Sequence, residues 1–93
     1  MVIGTQAFYL SLPGCGSLKE KRMVVKSLKD RIRHRFNVSV AETGSQDVWA
    51  RAELTIAAVA SDRGRADALL DRVDRFIEGD GRVLVSRVHR ELL

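Results

Sequence analysis

Apolar and polar positions alternate in twos near both ends of this chain and in its middle, and recur in threes and fours between. Residues 2–12 predict a first strand. Phe8, Leu10 and Leu12 fall on one of its faces, Thr5, Ala7, Tyr9 and Ser11 on the other, and Pro13-Gly14-Cys15-Gly16 stops it. Ser17 followed by Glu20 forms a capping box, so a helix is predicted from Leu18, with Leu18, Val25, Leu28, Ile32 and Phe36 as its apolar face. Asn37 to Glu42 predicts a second strand, Thr43 to Asp47 a turn, and Val48 to Ala60 a long third strand. Asp62 caps a second predicted helix that buries Ala66, Leu69, Leu70, Val73, Phe76 and Ile77. Gly79-Asp80-Gly81 ends it, and Arg82 to about Arg90 predicts a fourth strand.

The order βαββαβ predicts a single α+β domain over residues 1–93, ferredoxin-like, with two helices on one face of a four-stranded antiparallel sheet. That architecture carries many unrelated activities, so function has to come from particular side chains. Length and composition limit the options. With 93 residues, 45% of them apolar, the chain builds one modest core. The longest apolar run, Ile56 to Ala60, is far short of the roughly 20 residues that span a bilayer, and no membrane partner is expected. The first residues lack the pattern of a signal peptide, and the single cysteine, Cys15, excludes an internal disulfide. Both predict a cytoplasmic protein.

Charge changes the picture more. Net charge is +4, yet Leu18 to Phe36 alone carries +6, leaving −2 for the rest. Lys19, Arg22, Lys26, Lys29 and Arg33 follow one another at helical spacing, a row of five cations with no carboxylate in the row. Asp67, Asp71, Asp74 and Glu78 make an acidic row on the second helix. Helical phase and the right-handed crossover rule place the two rows on opposite outer flanks, pointing away from each other. The basic row is open to three readings: a solvated helix flank, contact with a nucleic-acid backbone, or contact with a protein partner that includes a second copy.

The sheet face without helices holds Tyr9 from the first strand and Trp49, Arg51, Glu53 and Thr55 from the third. Tyr9, Trp49 and Arg51 then share one surface, which suits a homodimer interface, base stacking or cover by the C-terminal segment. The glycine and closely spaced aromatics of RNA-recognition domains are absent.

No catalytic signature is present. Pro13 to Ser17 matches neither a dinucleotide fingerprint nor a P-loop, and it lacks the glycine-valine-glutamine-glycine-type loop of acylphosphatases. His34 and His89 have no metal-ligand spacing, so neither a metal nor a cofactor is expected.

Three blocks, Ser17-Leu18-Lys19-Glu20-Lys21-Arg22, Arg35-Phe36-Asn37-Val38-Ser39-Val40-Ala41-Glu42 and Trp49-Ala50-Arg51-Ala52, resemble the YlxP-like family of small bacterial proteins of unknown function. The resemblance implies a ferredoxin-like fold and carries over the motif residues Leu18, Lys19, Lys21, Arg22, Asn37 and Glu42. Members are often encoded beside translation initiation factor two and ribosome-binding factor A, which implies a role near ribosome assembly or initiation. The expectation is a non-enzymatic protein that binds structured RNA or the small ribosomal subunit through Lys19, Arg22, Lys26, Lys29 and Arg33. The alternative is a dimeric interaction module with no nucleic-acid role.

Overall fold

A computed structural model describes residues 1–93 as β1 (Val2–Ser11), α1 (Leu18–Arg35), β2 (Ser39–Gly44), β3 (Arg51–Ala60), α2 (Arg63–Glu78) and β4 (Leu84–Leu92). The sheet order is β2-β3-β1-β4 with every neighbouring pair antiparallel, and both helices cover one face. This is the ferredoxin-like α+β arrangement that the pattern predicts. Alternation on β1 and β3 sends Phe8, Leu10, Ala52, Leu54, Ile56 and Ala58 into the core, against Val25, Leu28 and Ile32 of α1 and Leu70, Val73 and Ile77 of α2. Gly4 lets α2 approach closely, since a methyl group there would meet Leu70 at 3.1 Å and Leu92 at 3.2 Å.

Several element limits differ from the sequence expectation, each for a local reason. β3 begins at Arg51 rather than Val48, because Ser45 takes a left-handed φ of 58° and Val48 N–H closes a turn onto the Ser45 carbonyl. Val48, Trp49 and Ala50 therefore precede the strand in a turn, held to β1 by the Leu12 N–H bond to the Ala50 carbonyl. β2 runs two residues later than expected, since Val38 N–H bonds the carbonyl of Phe36, itself the last residue capping α1. β4 starts at Leu84 because Asp80 folds the segment before it into a turn, bonding Arg82 N–H with its side chain and Val83 N–H with its carbonyl.

Three polar side chains are buried, and each sits at a joint between elements. Gln6 ties β1 to β4 and α2 through Arg90 and Asp74. Asp80 ties the turn after α2 to Arg31 of α1. Lys21 occupies a core position on α1, where Leu18 is only partly covered. Its ammonium is sealed from solvent and reaches the Glu42 carboxylate, the Ser45 carbonyl at 2.9 Å and the Gln46 carbonyl at 3.3 Å. A lysine ammonium has three N–H groups, and all three are satisfied here.

Removing one partner of a buried pair strands the other's charge. Lys21→Met is therefore expected to lower unfolding free energy by about 3 kcal/mol in urea titrations, and Lys21→Met/Glu42→Leu to recover part of that loss. A Lys21→Met variant as stable as wild type would refute the account.

Candidate nucleic-acid interface

The basic row lies on the flank of α1 that overhangs β2, the sheet edge. Its five cations are not equivalent. Lys19 and Arg22 are exposed, Lys29 is half-buried, and none of the three has a carboxylate partner. Lys26 bonds Asp30 at 2.9 Å, and Arg33 stands 3.6 Å from the same carboxylate. The hydrogen bond from Lys26 holds the Asp30 carboxyl below its usual range, with Lys26, Arg33 and Lys29 adding by charge. Arg33 also donates to the Val40 carbonyl of β2 at 2.9 Å, while Gln46 donates to the Glu42 carbonyl two residues on at 3.2 Å. The expected uniform row thus resolves into three free cations and two that share Asp30.

The acidic row lies on the opposite outer flank, and no ion pair joins the two rows. It is, however, partly neutralised. Arg90 of β4 bonds Asp67 at 3.1 Å and Asp71 at 2.9 Å, and Asp74 accepts from Gln6. Glu78 keeps its proton to higher pH than usual because its carboxyl shares a hydrogen bond with Asp74 and feels its charge.

A third charged feature is not visible in the sequence pattern. On the other flank of α1, facing α2, Arg31 and Arg35 meet Arg72 and Arg75 around Phe36 and Phe76. The two rings pack edge to face with centroids 5.6 Å apart. Arg31 lies over Phe76 at 5.1 Å, Arg35 over Phe76 at 5.4 Å and Phe36 at 5.9 Å, and Arg72 over Phe36 at 5.8 Å. Arg35, Phe36, Arg72, Arg75 and Phe76 line a hollow of about 420 Å³. Only Arg31 has a carboxylate, Asp80 at 3.2 Å. A partial signal exists in the chain: Arg72 and Phe76 share a side of α2, and Phe36 sits where α1 meets them. Reading it requires knowing that the helices cross there.

On the uncovered sheet face Tyr9 and Arg51 are diagonal neighbours as expected, whereas Trp49 lies before the strand. Tyr9 opposes Glu53 and Arg87 on its neighbouring strands, and Arg87 stacks on its ring at 4.2 Å. Arg51 opposes Ser11, one diagonal step from Tyr9. Trp49 is half-exposed in the turn before β3 rather than on the strand, so its side chain is not set by the strand alternation that grouped it with Tyr9. The face instead carries Ile3, Val59 and Leu93 side by side at its far end.

The first loop is arranged as a helix cap. Gly16 N–H donates to the Glu20 carboxylate at 2.8 Å and Glu20 N–H to Ser17 Oγ at 3.1 Å, so a carboxylate already stands where an oxyanion would bind. Cys15 is buried in the core beside this turn. His34 is exposed on α1, and His89 bonds Glu91 at 2.9 Å on the sheet face.

Fold and surface together define a small ferredoxin-like domain whose helix layer is rich in uncompensated cations. The chain belongs to the family described as "Protein of unknown function (DUF503)", which matches residues 3–90. It is 49% identical over 63 residues to the uncharacterized protein YlxP of Bacillus subtilis (strain 168), a match covering 68% of each chain. No helix is long and apolar enough to cross a membrane.

Asp80 holds Arg31 at the rim of the hollow, and acid tests that joint. Hydrogen bonds from the Arg82 guanidinium hold the Asp80 carboxyl down to about 2, against burial, with Arg82 N–H and the charges of Arg82 and Arg31 helping. Its folded value lies below its ordinary 3.8, so the stability it contributes is present above pH 4 and fades as pH falls towards 2. Wild type is expected to exceed Asp80→Asn by about 2 kcal/mol at pH 7, with the gap closing between pH 4 and pH 2 in urea titrations. A gap that stays constant with pH would refute this origin.

Proposed function

We propose that this protein is a non-catalytic, cytoplasmic RNA-binding protein acting in ribosome assembly or translation initiation. Its α1 flank contacts phosphates of structured RNA, the small ribosomal subunit included. The observation that supports this reading most is the placement of Lys19, Arg22 and Lys29: three cations on one flank with no protein carboxylate to neutralise them. From Lys19 to Arg33 the row runs about 21 Å, enough to follow several phosphates of one strand. Like charges at helical spacing cost the isolated helix roughly 0.2–0.5 kcal/mol per pair, a cost that phosphate contact reverses. The protein's densest acidic row is on the far side and bound to Arg90, so it does not repel RNA from this flank. Such contacts attract and orient without reading sequence.

Reversing Lys19, Arg22 and Lys29 to glutamate is expected to abolish binding to a structured RNA or to purified small subunits at moderate salt. Thermal stability should stay within about 1 kcal/mol, since Lys19 and Arg22 are exposed and the half-buried Lys29 has no carboxylate partner to lose. In wild type, log affinity falls linearly with log salt. Neutralising these three contacts should lower the slope by about 2 to 3. Unchanged binding by the reversed variant would refute the proposal.

A second reading, a homodimer through the uncovered sheet face, is favoured by the exposed Ile3, Val59 and Leu93 and by the small residues Ala7, Ala41 and Ala57 between the strands' polar side chains. It expects a dimer in sedimentation that Val59→Glu converts to a monomer. A wild-type monomer at high concentration removes it.

A further inference from the structure

We infer that the arginine-lined hollow between α1 and α2 holds one unpaired nucleotide of the bound RNA. Arg72 and Arg75 take its phosphate, and its base lies against the guanidinium planes over Phe36 and Phe76. The inference rests on the RNA-binding reading and adds to it a site on the other flank of the same helix.

Charge is the first ground. Arg35, Arg72 and Arg75 surround one hollow of about 420 Å³ without a carboxylate among them. Of the acids nearest in sequence to Arg72 and Arg75, Asp71 is engaged by Arg90 and Asp74 accepts from Gln6, and neither Asp74 nor Glu78 pairs with an arginine of the hollow. Three guanidinium groups facing one cavity repel until an anion enters, and a phosphate offers the paired oxygens that a planar fork binds best.

Stacking is the second ground. Arg35 and Arg72 rest on the two phenyl rings, Arg35 on both. Each of these guanidinium groups also lines the hollow and so presents a face to it. That face is weakly hydrated and stacks on aromatic groups. An aromatic group that arrives joined to a phosphate is a nucleotide, and the hollow falls within the range of small-ligand sites. A phosphorylated side chain of a protein would use the charge and leave the stacking planes idle. A base inside a duplex is covered on both faces, so only an unpaired one fits.

The two sites divide the work across α1. Arg33 on one flank and Arg31 and Arg35 on the other are separated by the width of a single helix. A paired stem along the outer flank places its loop or overhang at the hollow.

Anisotropy titrations of the full chain at near-physiological salt test this with a single-stranded RNA of about eight nucleotides and a duplex of equal phosphate count. Wild type is expected to favour the single strand by about tenfold. Arg72→Ala/Arg75→Ala should lose about tenfold on the single strand and stay within about twofold on the duplex. Both residues are exposed, so folding is preserved. Arg35→Lys/Arg72→Lys, which keeps charge and loses the planes over Phe36 and Phe76, should lose about tenfold on the single strand and stay within about twofold on the duplex.

Equal losses on both RNAs, wild-type single-strand affinity in the lysine variant, or displacement of the single strand by a phosphoserine peptide would each overturn the assignment. The Lys19, Arg22 and Lys29 reversal separates the two proposals. Lost duplex binding with a retained single-strand preference supports both, whereas unchanged duplex binding with a retained preference sinks the outer flank alone.

Discussion

A lysine ammonium that no water can reach must be given three oxygens by the protein itself, and the arrangement of one whole side of this molecule follows from that demand at Lys21. The Glu42 carboxylate supplies charge, which brings β2 beneath the start of α1. The other two oxygens are backbone carbonyls of Ser45 and Gln46, so the chain has to turn tightly just after β2, with Ser45 in the left-handed region. That turn delays β3 to Arg51 and lifts Trp49 out of the sheet. Hydrophobic burial along Phe8, Leu54 and Ile32 would be satisfied by many loop shapes. The buried cation accepts very few.

The same demand for charge balance shapes the surface. Carboxylates stand where a cation must be positioned: Glu42 on Lys21, Asp80 on Arg82 and Arg31, and Asp67 and Asp71 on Arg90. What remains unneutralised is concentrated on the helix layer, along the outer flank of α1 and in the seam it forms with α2. The uncovered sheet face is mixed, with the stacked Tyr9–Arg87 pair, Arg51, Glu53 and the His89–Glu91 pair along it and exposed Ile3, Val59 and Leu93 at its far end.

Much of this is legible in the chain, and the exceptions share a cause. Period-two and helical spacing reveal which face of each element is apolar, so the order, the topology and the core at Phe8, Leu54, Leu28 and Leu70 follow from local pattern. The opposed flanks of the two charged rows follow as well, from helical phase and crossover handedness. Lys21 escapes this logic. A lysine four residues before Val25 reads as a flank residue, and its buried role depends on Glu42, which is distant in sequence and adjacent only in space. Trp49 departs from the expected strand for the same reason, since the turn that displaces it is held by that lysine. The arginine seam needs the crossing of α1 and α2, which brings Phe36 to Phe76 across 40 residues of chain. Pairing between remote residues leaves no periodic trace.

One modest contact has a wider consequence. With Arg33 seated on the Val40 carbonyl and Gln46 on that of Glu42, the outward acceptors of β2 are already occupied. An incoming strand would have to compete with Arg33 and Gln46 for these two carbonyls, so growth on that side is hindered. A sheet hindered along one edge is a poorer template for copy upon copy in a fibre. The arginine that looked like one more cation in a row thus also guards an edge of the sheet against a second copy.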